Sequence, residues 1–152
     1  MNDADPNRQF IDTNVLVYAF DRTAGQKNDR ARELLAALWS NGSGCLSMQV
    51  LQEFFVTVTG RLSHRLSHEE AARRVAHYSG WHVHEPGRQD LLAAIDLRSG
   101  LRISFWDAMI VQSAKRMECE VLWTEDLNDG QRYAGVLVRN PFVDSVMERQ
   151  GP

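Results

Sequence analysis

Four acidic residues are written into apolar stretches of this chain, and any fold it adopts has to find a place for them. Asp12 closes Phe10-Ile11-Asp12, and Asp126 follows Val121-Leu122-Trp123-Thr124-Glu125. Glu53 lies inside Leu51-Gln52-Glu53-Phe54-Phe55, and Asp107 inside Phe105-Trp106-Asp107-Ala108-Met109-Ile110. A carboxylate in such surroundings costs folding energy unless something cationic meets it. Gathered in one pocket, the four repel one another until a divalent cation arrives. The chain therefore reads first as a magnesium- or manganese-dependent enzyme.

Whether the acids can meet depends on the elements that carry them. Residues 8–12 read as a short buried strand, and 15–20 as the start of a helix. Ala31, Leu34, Leu35 and Leu38 recur at helical spacing, and Asn41-Gly42-Ser43-Gly44 then breaks the chain. Cys45-Leu46 fits a second strand, with Ser47 capping a helix whose apolar face is Leu51, Phe54, Phe55 and Val58. Gln49, Glu53 and Thr57 fall on its other side, which leaves Glu53 free to enter a cleft. Ser67-His68-Glu69-Glu70 is a capping box opening a helix that runs to Tyr78.

Residues 81–84 suggest a third strand, and 88–99 a helix closed by Gly100. Ser104 caps the helix that carries Asp107. Fourth and fifth strands follow at 120–124 and 136–139, the last ended by Asn140-Pro141. Strands that alternate with helices and read as continuous apolar runs predict an α/β fold with a short, mostly parallel central sheet. Ligands of such sheets bind beyond the carboxyl ends of the strands. Asp12 and Asp126 fall at those ends, and Glu53 and Asp107 in helices that begin beside them. That is one site.

The length, 152 residues, predicts one domain over 1–152, with a loose start at about 1–7 and a tail at about 143–152. Cys45 and Cys119 lie in apolar stretches without zinc spacing and read as reduced core residues of a cytoplasmic protein. No apolar run approaches the roughly 18 residues of a membrane span. The first residues lack the basic and apolar regions of a signal peptide. A net charge of -3 speaks against nucleic acid in bulk. Yet lysine occurs only at Lys27 and Lys115, and arginine supplies the other basic groups. Arginine suits bidentate phosphate contact, so an acidic pocket with a basic rim stays open.

Each acid alone has an ordinary reading. Asp12 suits an Asx turn or N-cap, Asp107 the return arm of a Ser104 capping box, Glu53 a helix surface and Asp126 a turn. Their joint placement at one sheet edge carries the metal reading. Thr13, Asn14, Ser104 and Thr124 are small polar side chains able to orient ligands or water. His82 and His84 share a strand face but have no third ligand at metal spacing. Trp39, Trp81, Trp106 and Trp123 read as core rather than as base-stacking platforms. Arg61, Arg65, Arg73, Arg74, Arg98 and Arg102 read as scattered surface charge.

Taken in order, Phe10-Ile11-Asp12-Thr13-Asn14-Val15-Leu16, Gln49-Val50-Leu51-Gln52-Glu53-Phe54, Ser104-Phe105-Trp106-Asp107-Ala108-Met109-Ile110 and Leu122-Trp123-Thr124-Glu125-Asp126-Leu127-Asn128-Asp129-Gly130-Gln131 resemble a PIN-domain nuclease. Asn140-Pro141-Phe142 resembles the ending of the VapC-type toxin branch. The resemblance implies a three-layer α/β/α domain, usually a homodimer, that hydrolyses RNA with magnesium or manganese. It implies Asp12, Glu53, Asp107 and Asp126 as the catalytic and metal-binding cluster, with Asp129 second to Asp126 for the fourth place. It also implies a VapB-type antitoxin that obstructs the acidic site, commonly with a basic side chain. Single-stranded loops of structured RNA are the expected substrate.

Two other readings compete. A phosphoaspartyl phosphatase or receiver also places an aspartate after a buried strand, but the phosphatase wants a second acid where this chain has Asn14. A catalytically degenerate PIN fold would bind RNA or a protein without cleaving.

Overall fold

The computed structural model describes residues 7–143. Of the end segments expected to be loose, only Asn7 and Val143 fall among these. The elements run β1 (Gln9–Ile11), α1 (Thr13–Tyr18), a 3-10 turn (Arg22–Ala24), α2 (Gln26–Asn41), β2 (Gly44–Ser47), α3 (Met48–Gly60) and α4 (His68–Tyr78). There follow β3 (His82–His84), α5 (Arg88–Leu101), α6 (Phe105–Arg116), β4 (Val121–Trp123), β5 (Arg132–Tyr133) and β6 (Val136–Arg139).

The sheet has the order β3-β2-β1-β4-β6-β5, and every pair is parallel except β5 with β6. Helices flank it in a three-layer α/β/α arrangement, as the resemblance implies. From β1 the chain crosses to β2 on one side and returns as β4 on the other. That reversal opens a crevice at the carboxyl end of β1, where such sheets take their ligands. Phe10, Ile11, Leu46, Leu122 and Val138 are fully buried in the strands, and Leu16, Val50, Phe54 and Val111 bring the helices onto them.

Local chemistry fixes the element ends near the site. Gly42 stops α2 by taking a left-handed φ of 72°, from which its N–H reaches Leu38 O and Trp39 O. Ser47 ends β2 and at once caps α3, its Oγ accepting from Val50 N, so Glu53 rises directly from the sheet edge. Gly44 is required by contact: a Cβ there would lie 2.3 Å from Trp81 Cζ3.

Several expectations need correction. Gly100 does not close α5; the helix runs through Leu101, and Arg102 takes the left-handed position at φ 57° with its N–H on Arg98 O. The sheet contains a strand that apolar patterning missed, β5, which is two residues long and antiparallel. Its turn is made by Ala134 and Gly135 at φ 52° and 87°. Phe55 is half-buried, and Val50 takes its place on the buried face of α3. Trp39 and Trp106 are not core, being 40% and 62% exposed. Trp39 stacks on His77 at 4.0 Å instead. Cys45 and Cys119 are buried and free. Among the described residues no helix is long and apolar enough to cross a membrane.

Candidate metal centre

Asp12 stands where β1 becomes α1. It is the N-cap of α1, its Oδ1 accepting from Thr13 N at 2.7 Å. Its Oδ2 accepts from the Thr124 hydroxyl at 2.8 Å. Capping and site-building are thus one placement, and only 5% of the residue is exposed. Burial pushes its pKa from 3.8 up to about 7; the bonds from Thr124 and Thr13 oppose this, and the charges of Asp126 and Asp107 add to it.

Asp107 sits in the first turn of α6, whose N-cap Ser104 accepts from Asp107 N at 3.1 Å. The return arm of a capping box is not made, which leaves the carboxylate to face the crevice. Its pKa is raised by burial first, then by Asp126 and Glu53, against the Ser104 hydroxyl. Asp126, exposed, hangs beyond β4. Its amide donates to Thr124 Oγ1 at 3.1 Å, and its Oδ2 accepts from Asn14 Nδ2 at 2.9 Å. One oxygen from each of Asp12, Asp107 and Asp126 lies within 4.8 Å of the others.

Glu53 stands beside this trio rather than in it. Its Oε1 accepts from the Thr13 hydroxyl at 2.6 Å, and its Oε2 from Gln49 Nε2 at 3.4 Å. Thr124 is the hub. Its one hydroxyl hydrogen goes to Asp12, and its lone pairs take Asn14 Nδ2 at 3.2 Å and the Asp126 amide. Asp129 turns away, its Oδ1 accepting from Asn140 N at 2.8 Å and lying 3.7 Å from Arg139 Nε. Glu125 is likewise held aside, by Lys27 Nζ at 3.2 Å and the Tyr18 hydroxyl at 3.1 Å. So of the three neighbouring acids only Asp126 reaches Asp12 and Asp107.

Sequence reasoning missed three supporting residues. Gln49 ties α3 to α6 through Trp106 O at 3.3 Å. Tyr18 and Lys27 fix the loop after β4. The i,i+4 spacing of Tyr18 from Asn14 on α1 was a usable signal; nothing near Lys27 was. His82 and His84 assemble no metal site: His82 faces Gly42 O at 3.3 Å, while His84 joins Ser113 at 2.8 Å and Asp90 at 3.3 Å.

The donor set fits a hard divalent cation. It is all oxygen, the carboxylates crowd one another, and two of them are held back from ionising. Asn14 Oδ1, on the same amide that reaches Asp126, is buried with no donor among the described residues. Water in the shell of a hydrated ion is a donor of the kind it lacks. From the trio a groove of about 670 Å³ runs between α1 and α3, past Tyr18, Val56 and Thr57 to Arg61 and Leu62.

Comparison with known proteins adds a family. The PIN domain family matches residues 10–135. A toxin–antitoxin complex from Klebsiella pneumoniae contains a chain of the same fold, with a TM-score of 0.66 at 19% identity, covering 88% of this chain and 98% of that one. DNA-bound VapBC from Salmonella typhimurium gives a TM-score of 0.65 at 19% identity, over 90% and 99%. VapC20 from Mycobacterium tuberculosis, described as a sarcin-ricin-loop-cleaving toxin, gives 0.56 at 18% identity, over 75% and 86%. No curated protein sequence matches. At these identities the likeness establishes the fold.

Proposed function

The chain belongs to the PIN-domain family, and from that premise we propose that it is a magnesium- or manganese-dependent ribonuclease, the toxin of a VapBC-type toxin–antitoxin pair. The observation that carries the reading is the convergence of Asp12, Asp107 and Asp126 within 4.8 Å at the reversal point of the sheet. Family membership sets the phosphoaspartyl enzymes aside.

A bound divalent ion supplies Lewis acidity toward a phosphodiester and a water of lowered pKa. The chain's own residues do the rest. Asp12, Asp107 and Asp126 would hold the ion. Thr124 keeps the Asp12 carboxylate aimed, and Asn14 holds Asp126 in reach. Glu53, turned by Thr13, adds negative charge at the rim. Single-stranded loops are the accessible face of structured RNA, and such a loop is the fitting substrate class.

The toxin–antitoxin complexes of like fold support an antitoxin partner for this chain. The groove suits one, since Val17, Val56 and Leu62 accept an apolar side chain and the acids beyond accept a basic one. On α5, Leu91, Leu92 and Ile95 are 41%, 56% and 48% exposed, an apolar stripe that a second copy of the chain would cover.

The test is cleavage of mixed RNA by purified protein with magnesium, manganese or EDTA, beside Asp12→Asn and Asp107→Asn purified identically. Metal-dependent cutting by the wild type alone is the expected result. RNA that is bound but never cut under any metal condition would favour the degenerate, binding-only fold.

A further inference from the structure

A second cavity, of about 720 Å³, lies between the end of α1, α2 and α4, with Phe20, Arg22, Arg32, Leu66, Glu70 and Arg74 in its walls. Three arginines and one glutamate line it. The carboxylate is already engaged: Glu70 meets Arg74 Nη2 at 2.9 Å and Arg73 Nη2 at 3.1 Å, and these partners hold its pKa low. Arg74 is also fixed over the Phe20 ring, 5.3 Å from its centroid. Arg22 and Arg32 have no ion pair among the described residues. In a chain of net charge -3, this concave site carries an uncompensated positive charge.

Arg22 and Arg32, without acidic partners among the described residues, suit an oxyanion, which guanidinium groups bind bidentately. The position says which. The cavity opens at the far end of α1 from Asp12, and α1 has six residues, a length of about 9 Å at helical rise. A polyanion entering the acidic crevice is repelled by the carboxylates there. A cationic pocket one short helix away offsets that repulsion and seats the strand. We propose that this cavity is a phosphate-binding subsite that holds the RNA backbone a few nucleotides from the scissile bond. The proposal rests on the ribonuclease reading for its substrate, and on the arginines for its chemistry.

The experiment compares wild type with the Arg22→Ala/Arg32→Ala double variant and with Arg88→Ala/Arg98→Ala, an equal loss of charge on α5. Each is assayed for kcat and KM on a single-stranded RNA oligonucleotide that the wild type cuts, across a salt series. Only the cavity variant should show KM raised by about tenfold or more, with kcat little changed. Its slope of log KM against log salt should fall by about 1.4, the loss of two single-strand phosphate contacts. Arg22→Lys/Arg32→Lys should recover much of the salt slope. Unchanged KM and slope in the cavity variant, or equal changes in both double variants, overturn the subsite.

Inorganic phosphate and an oligoglutamate peptide, titrated while the arginine side-chain N–H signals are followed by NMR, separate the two hypotheses. If the wild type cuts no RNA but phosphate still shifts Arg22 and Arg32, the nuclease reading fails and the anion site stands. If only the peptide shifts them, the cavity takes an acidic protein segment and the phosphate proposal is wrong.

Discussion

The hydroxyl of Thr124 donates to Asp12 Oδ2 at 2.8 Å, so the residue that follows β4 aims the carboxylate that follows β1. The same oxygen accepts from Asn14 and from the Asp126 amide. Removing it leaves a buried carboxylate oxygen and the part-buried Asp126 amide short of partners. Thr124→Val, nearly equal in shape, should lower manganese affinity by about 10- to 100-fold and stability by about 1–3 kcal/mol. Thr124→Ser should restore most of both. Titration calorimetry and thermal melts read the two effects, and wild-type affinity in Thr124→Val would remove the hub role.

Three acids crowd the loop after β4, and the structure gives them different work. Glu125 is paired with Lys27, Asp129 anchors the Asn140 amide, and Asp126 faces Asp12 and Asp107. Asp126→Asn should therefore cost about a hundredfold or more in metal affinity, at least what loss of an outer partner costs. Asp129→Asn should leave affinity intact and cost about 1 kcal/mol of stability through the loop. Calorimetry on the two variants side by side decides. A larger affinity loss in Asp129→Asn would exchange their assignments.

Much of this centre was legible in the chain because strand ends and helix caps are local signals. Asp12 and Asp126 are placed by where apolar runs stop, and Ser47 and Ser104 by capping chemistry that also positions Glu53 and Asp107. What was hidden depends on partners remote in sequence. That Glu125 is turned aside follows from Lys27, 98 residues away, and no periodicity reports that. Strand β5 is only two residues long and exists because β6 offers an edge. Trp39 and Trp106 looked like core by residue type, but exposure is settled by which helix face meets the sheet.

Gly44 illustrates a sequence requirement set wholly by such a distant neighbour. Trp81 fills the space that a side chain would need, its ring 2.3 Å from where a Cβ would stand. Gly44→Ala should destabilise the protein by about 1–3 kcal/mol, the usual cost of overpacking a filled site. Pairing it with Trp81→Leu should relieve most of that cost, since the obstructing ring is gone. Denaturant melts of the two single variants and the double variant test the coupling. Additive losses would mean that the ring is not what excludes a side chain there.

The buried carboxyl of Asp12 gives the metal-free protein an unusual dependence on pH. Its pKa is 3.8 ordinarily and about 7 when folded. Between those values the folded chain keeps a proton that the unfolded chain has released, so stability falls as pH rises. The contribution is fully present below 3.8 and gone above about 7. A shift of this size corresponds to a few kcal/mol. Asp107, also raised, acts in the same direction. Asp90 has the opposite slope: burial pushes its carboxyl up, but the Gly87 amide and Gln112 bring it below its ordinary value. Its contribution lies in a lower window and is lost as pH falls below the ordinary carboxylate range. Melts in EDTA should therefore show stability decreasing from pH 5 to pH 8, and Asp12→Asn should flatten most of that slope. A metal ion needs the ionised carboxylate, so manganese affinity should rise over the same interval, by about tenfold per pH unit below the pKa for one displaced proton. Melts that decline with pH equally in wild type and Asp12→Asn would show that the buried aspartate is not the group responsible.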